Sequence, residues 1–366
     1  MTEVALASAS EKQVWNKDFF AEYVRESGFK PYIGRKPNSI IVAKYELQEE
    51  AGKTINIPLI LRLTSDGVTG STVLDGNEEE LGNYNCPISV DWRRNGVRVP
   101  KSTSYKTEID LWGASKEMLK TWEVEKTRDD ITTAMLSLVT TGSTTVTMSA
   151  SDATARNAYN AGNSDRLLFG KLKSNYSATW ATAVGNIDTT DDKCTVAAMS
   201  LMKRIAKAAD PHIRPVRTED GREYFVAFHG GRTFRDLKAD STMTQANREA
   251  RERDVSKNPI FQDGDLIYDG IIHREVPEID TIAAGGTYSM DAIGNSSADV
   301  RPVFLCGQQA VGIAWGQEPQ MKTDLTKDYS FRPGTAIEEL LGVKKIAFNG
   351  KQHGMVTGFF AAAADS

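Results

Sequence analysis

The sequence is poor in most of what usually announces chemistry. Three cysteines in 366 residues, Cys86, Cys194 and Cys306, are odd in number and far apart, which argues against a disulfide framework and suits a reducing compartment. The four histidines, His212, His229, His273 and His353, have no His or Cys partner at ligand spacing in the chain, so each reads as a core or surface residue rather than a metal ligand. No apolar run approaches the roughly eighteen residues needed to span a bilayer. The first residues carry Glu3 and no basic stretch ahead of an apolar core, unlike a secretory signal. Charge of one sign is lacking too: 44 Lys and Arg against 49 Asp and Glu give a net charge of -5, which does not mark a polyanion binder. These absences predict a protein made and folded in cytoplasm, with no membrane partner.

Catalytic motifs are equally scarce. Gly52-Lys53-Thr54 looks like the tail of a phosphate-binding loop, but the position that should hold the first glycine is Leu47. Asp263, Asp265 and Asp269 surround Gly264 without the alternation or the closing glutamate of a calcium loop. No serine sits in a G-x-S-x-G turn. The basic residues of 248–253 are balanced by Glu249, Glu252 and Asp254, the pattern of a solvated or interface helix face. No catalytic, cofactor-binding or metal residue is expected, and the chain reads as something other than an enzyme.

What is present is structural. Tyr105 to Val139 runs without proline and with a single glycine, and has Leu111, Ala114, Met118, Trp122, Ile131, Met135 and Leu138 at helical spacing. Charged residues from Lys116 to Asp130 fill the other face, Thr103 or Ser104 offers a cap, and Thr140-Thr141-Gly142 a stop. This predicts one long helix laid on a sheet. Trp15, Phe19, Phe20, Tyr23 and Val24 mark a short amphipathic helix from Val14 to Arg25, packed on its own domain or lent to a neighbour. Thr54 to Leu63 alternates as a strand, with Pro58 placing it at an edge. A second strand runs from Ile88 to Trp92 and resumes at Val97 and Val99 after Asn95-Gly96. Between them the acidic, Gly-rich stretch Thr64 to Asn85 forms the tip of a two-stranded arm, too small to be stable by itself. Further on, Thr140 to Thr190 is rich in Ser, Thr, Ala and Asn with one firmer patch, Arg166 to Gly170, and reads as a loosely packed connection with short elements. Asp191-Asp192 offers a cap for a helix to Ala209. Strands are expected at 223–229, 266–274, 300–306, 309–315, 321–331, 343–348 and 355–361, with helices at 232–239 and 245–254. Helices and strands mix without a regular repeat, so the class is α+β.

In that order the elements resemble the major capsid proteins of tailed bacteriophages with the Hong Kong 97-like fold, and most closely the short-tailed, podovirus-type branch. The residues carrying the likeness are Val14-Trp15-Asn16-Lys17-Asp18-Phe19-Phe20 with Tyr23 to Phe29, Ala51 to Pro58, Gly76 to Glu80, Asn83-Tyr84-Asn85, Val90-Asp91, Arg94 to Arg98, Lys106 to Asp110, Arg128 to Ile131 and Asp165 to Gly170. After that it thins to Tyr224-Phe225-Val226, Phe234 to Lys238 and Asn258 to Ile271. The resemblance implies an N-terminal arm over 1–43 and an extended loop with its flanking strands over 44–104. It implies a peripheral domain with a spine helix and connection over 105–190, an axial domain over 191–331, a return to the peripheral domain over 332–352, and a last strand and tail over 353–366. It implies a non-enzymatic shell subunit that assembles with itself into hexamers and pentamers of an icosahedral virion capsid around double-stranded DNA. A separate scaffolding protein and a portal are expected partners, and decoration proteins stay open. The alternatives are the shell of a cellular nanocompartment of the same fold or, from a different class, a discrete-oligomer binding protein or enzyme.

The resemblance also points to contact residues. Trp15, Phe19, Phe20 and Arg25 lie on the arm. At the loop tip Asp75, Glu78, Glu79 and Glu80 put four carboxylates within six residues. They form either a solvated turn or a contact with a neighbour's cations, for which Lys116, Lys120 and Arg128 on the long helix, or Arg25 and Lys30 on the arm, are the candidates.

Overall fold

The computed structural model describes residues 28–48, 52–106, 110–218, 221–249, 266–285 and 288–365. The expected arm helix, with Trp15, Phe19, Phe20 and Arg25, lies outside the described residues, as does the second half of the helix expected at 245–254.

Contacts divide the chain into two units. The larger comprises residues 28–91, 128–316 and 341–366, and its centre is a seven-stranded mixed sheet. The strand Glu223–His229 pairs in parallel with Ile271–Glu275 and antiparallel with Val300–Cys306. Val300–Cys306 pairs antiparallel with Met355–Ala361, which pairs in parallel with Leu167–Phe169. Alternate side chains of these strands feed two separate cores, as a pleat of period two requires. Val226, Phe228, Phe304 and Phe359 enter one, and Phe225, Ala227, Leu305 and Phe360 enter the other. A sheet covered on both faces explains why all seven residues of Val300–Cys306 are buried.

The second core is closed by the helix Val196–Ala208, which buries Val196, Met199, Met202, Ile205 and Ala206. Its cap is Thr195, whose hydroxyl accepts from Ala198 N at 3.3 Å, not the expected Asp191-Asp192. Asp192 is instead buried, and its carboxylate accepts from the backbone of Lys171 and Asp188 and from the Asn175 amide.

The first core corrects the reading of 140–190 as a loose connection. The helix Ala153–Gly162, capped by Asp152 on Ala155 N at 2.7 Å, buries Tyr159. Trp180 stands edge-on to Phe169 and Phe359, with centroids 5.9 and 5.1 Å away, and its ring nitrogen donates to the Tyr288 hydroxyl at 2.6 Å. Few but large anchors, spaced widely among small polar residues, leave no periodicity for a sequence reading to find.

The long helix is Leu111–Leu136, with a separate four-residue helix, Lys101–Ser104, before it. Asp110 caps the long helix by accepting from Trp112 N and Gly113 N at 3.1 and 3.0 Å. Thr103 and Ser104 therefore do not cap it, and Leu138 belongs to the short strand Leu138–Val139 beyond its end. Residues up to Thr127 belong to the smaller unit and the rest to the larger. In the larger unit Ile131, Ala134 and Met135 are buried in the first core, a full apolar face.

The smaller unit contains 92–127 and 317–340 among the described residues. Here Met118 and Trp122 are only half-buried, while Leu119, absent from the expected stripe, is buried. Its polar centre is Arg93, which ion-pairs with the buried Glu339 and donates to Thr127 Oγ1 at 2.7 Å. The Arg93 guanidinium also lies 6.0 Å from the Trp122 ring, so this half of the helix is held by charge and aromatic contact as much as by burial. The strand Asp91–Arg98 runs unbroken through Asn95-Gly96, where an interruption was expected. The strands expected at 309–315 and 321–331 form one, Val311–Asp324, followed by a turn and the strand Gly334–Lys345.

Candidate assembly surfaces

In the larger unit, Thr54–Ile60 and Asn83–Ser89 form an antiparallel hairpin that, among the described residues, is a two-stranded sheet of its own, from Thr54 opposite Ser89 to Ile60 opposite Asn83. Its base is anchored where Ile55, Cys86 and Ile88 are buried. Two glycines on the neighbouring strands make that approach possible. A side chain at Gly342 would meet Ser89 O at 2.0 Å, and one at Gly312 would meet Ile88 Cδ1 at 2.5 Å. Farther out, Ile57, Leu59 and Tyr84 rest on Cys86, Ile346 and Phe348 and are only partly covered.

Beyond the pairing the packing stops. Ile60, Leu63, Val73, Leu74 and Leu81 are each more than half exposed. Ile60 ends its strand, and the other four are large apolar side chains exposed along one loop, the kind of surface that marks contact sites. The acidic tip divides into two kinds. Glu79 accepts from Thr64 N, Thr64 Oγ1 and Ser65 N at 2.6, 3.0 and 2.7 Å, and those backbone donors hold its carboxyl below the usual carboxylate range. Glu78 accepts from Gly76 N at 2.7 Å. These two side chains shape the loop itself, whereas Asp75 and Glu80 are exposed and carry no hydrogen bond or ion pair among the described residues.

The cations expected to meet such a tip fare differently. Arg128 is buried and ion-paired inside the larger unit, 3.0 Å from Asp129 and 3.1 Å from Glu278. That corrects its assignment as a neighbour's contact, because a buried guanidinium must be neutralised within its own fold. Lys120 is exposed, and Lys116 sits 5.3 Å from the Trp112 ring. Both belong to the smaller unit.

That unit has an exposed surface of its own. In the turn after Val311–Asp324, Asp328, Tyr329 and Ser330 are consecutive left-handed residues with φ of 52°, 47° and 66°. Such a run of non-glycine residues is strained and must be held by its surroundings. Ser330 Oγ donates to Leu325 O at 2.7 Å, Phe331 N to Asp328 O at 2.8 Å, and Arg332 pairs with Asp328 at 3.2 Å. The result presents Tyr329 fully to solvent, with Leu325 and Phe331 exposed beside it.

Under the hairpin of the larger unit lies a cleft of about 580 Å³. The hairpin contributes Leu59, Leu61, Arg62 and Tyr84, and the facing wall comes from 210–214 and 348–353. Arg166, buried at one side, donates to Gln352 O and His353 O at 2.6 and 2.9 Å and to Pro211 O at 2.7 Å. It thereby ties together the loops that form the wall. Arg62 pairs with Asp210 across the opening at 2.9 Å. Burial, with the Arg166 and Arg214 charges nearby, pushes His353 down to about 4. The sequence could not reveal this cleft, since its lining comes from five separate segments, 59–64, Tyr84, Arg166, 210–214 and 348–353.

Two histidines expected to stand alone meet in the second core. His229 Nε2 is 3.0 Å from His273 Nδ1, and His229 Nδ1 is 3.9 Å from Cys194 Sγ. The neighbours sit on opposite nitrogens of the His229 ring, so the three cannot converge on one ion. Burial lowers both histidines, His273 to about 4, and raises the Cys194 thiol. Among the described residues no group of three or more side chains could hold a metal, and no helix is long and apolar enough to cross a membrane.

The larger unit thus combines a sheet filled on both faces with a hairpin that is only partly packed. The model of the phage capsid protein family matches residues 3–359, and the chain belongs to that family. Its architecture is the Hong Kong 97-like capsid fold, and it is a major capsid protein, a structural component of a phage virion. The major capsid protein of Pseudomonas phage KPP25 is 26% identical over 363 residues, covering 95% of this chain and 92% of that one. A capsid chain of cyanophage Pam1 is 50% identical, covers all of both chains and superposes with a TM-score of 0.92. The capsid of Ralstonia phage GP4, 20% identical with a TM-score of 0.73 over 100% of this chain and 99% of the other, shares the fold. These relatives favour a phage head over a cellular nanocompartment.

Proposed function

We propose that copies of this chain assemble, as hexamers and pentamers, into the icosahedral head of a short-tailed phage around double-stranded DNA. In this reading the chain is not an enzyme, and it works with a separate scaffolding protein and a portal. The arm carrying Trp15, Phe19, Phe20 and Arg25 and the acidic tip with Asp75, Glu78 and Glu80 take part in contacts between copies. The domain division expected from the sequence belongs to the same proposal.

The observation that carries it is the hairpin loop, which leaves Ile60, Leu63, Val73, Leu74 and Leu81 in solvent. A free monomer gains nothing from such a surface, whereas a shell can bury it at every subunit. The test replaces Leu63, Val73, Leu74 and Leu81 together by serine. The variant is expected to keep the circular dichroism and thermal transition of the parent subunit but to form no shells in electron micrographs. Shells of normal size and yield from this variant would overturn the role given to the loop.

A further inference from the structure

Resting on that reading, we infer that the cleft under the hairpin receives the loop Val73–Leu81 of a second copy of this chain. The cleft and the loop are complementary on two counts. The apolar part of the lining includes Leu59, Leu61, Tyr84 and Phe348, and the charged part includes Arg62, Arg214 and Lys351 against the one lining acid, Asp210. Of these cations Arg62 is taken by Asp210 and Lys351 by Asp165. Arg214 is exposed, and its side chain has no partner among the described residues. The loop offers the matching pattern: Val73, Leu74 and Leu81 are exposed apolar side chains, and Asp75 and Glu80 are the two tip carboxylates without a partner. Glu80 adjoins Leu81, so an apolar side chain entering the cleft brings a carboxylate with it.

The chain's own loop does not fill its own cleft, since no residue between Ser65 and Gly82 lines it. The Glu79 contacts to Thr64 and Ser65 also fold the tip back on its own stem. Loop and cleft are therefore two different patches of one molecule, and a contact between them is heterologous. Such head-to-tail contacts close into rings when the rotation per subunit permits, which suits a capsomer. Arg62 and Thr64 lie both at the root of the donor loop and at the edge of the acceptor cleft. Filling a subunit's cleft thus bears on where its own loop points.

The test uses the full chain with Glu80→Arg, Arg214→Glu and the two combined, each checked for unchanged circular dichroism, with assembly followed by sedimentation at low salt. Each single reversal is expected to lower the assembled fraction at least about fivefold, and the combined variant to restore it to within about twofold, because directly contacting charges are coupled. Singles that assemble normally, or a double variant no better than the singles, would overturn the pairing. A second measurement joins Glu80→Cys with Arg214→Cys and oxidises the assembled particles. A ladder of linked chains on a non-reducing gel is expected. Only single-chain bands from intact shells would sink the docking while leaving the capsid role standing, whereas failure of the unaltered chain to form shells at all would sink that role instead.

Discussion

The strand Val300–Cys306 and the loop beyond Ile60 contain similar kinds of apolar residue and meet opposite fates. Every residue of the strand is buried between two cores. The loop leaves Leu63, Val73, Leu74 and Leu81 mostly in water. The difference lies in what flanks them. The strand has partners on both edges and cover on both faces, whereas past Leu61, whose amide donates to Gly82 O, the loop's two sides no longer pair as strands. Local chemistry alone therefore does not fix whether an apolar residue serves stability or assembly. In this chain the sheet secures the subunit, and the loop's apolar side chains stay exposed, open to the contacts proposed for them.

Paired substitutions should separate the two roles most sharply. Phe359 is buried, lies 5.1 Å from the Phe169 ring and touches Trp180. Phe359→Ala is expected to cost about 3–5 kcal/mol in chemical denaturation of the subunit. Leu74→Ala should leave that midpoint within about 0.5 kcal/mol, as for other exposed sites, while lowering shell yield. Equal losses of stability at the two positions would erase the contrast.

A smaller effect comes from acidity acting on the core. His273 and His353 are held near 4 in the folded chain against an ordinary 6.5, so between those values the unfolded chain binds more protons. Their contribution is complete above about pH 6.5 and is lost as the pH falls towards 4, by on the order of a few kcal/mol. Lys345, fully buried and bonded to Ser137 O at 2.6 Å, is pushed down to about 7 from 10.5. It adds a rise of the same sign between pH 7 and 9. Urea titrations at pH 4.5, 7 and 9 should show stability increasing throughout, and Lys345→Met should flatten the upper part. A fall between pH 4.5 and 7 would contradict the burial assigned to the histidines.

The smallest effect concerns the loop. Glu79 binds the Thr64 and Ser65 amides as a carboxylate. Because its folded pKa is lowered, this restraint is present above about pH 4.5 and fades as the pH drops through the folded value. Glu79→Gln should speed hydrogen exchange at those two amides without moving the global unfolding midpoint. Unchanged exchange would mean that the tip holds its shape by other means.

Much of the fold could be read from local pattern. The hairpin strand at Thr54 alternates, the long helix and the helix ending near Ala209 carry helical spacing, and 223–229, 300–306 and 355–361 are short apolar runs of strand length. The capsid family was legible as well, because its characteristic phrases are written consecutively along the chain. The core of 140–190 was not, since Tyr159, Phe169 and Trp180 find each other only when distant strands bring them together. Arg128 shows the same limit: in the sequence it is one more charge on a polar helix face, and only Glu278, 150 positions away, makes it an internal ion pair. The cleft beneath the hairpin and the His229–His273 contact also join segments far apart in the chain. Sequence by itself determined the periodic elements and their order, because period and capping act over a few residues. Tertiary structure decided which charges are spent inside the subunit and which surfaces remain open to another copy, because burial depends on what the rest of the chain brings alongside.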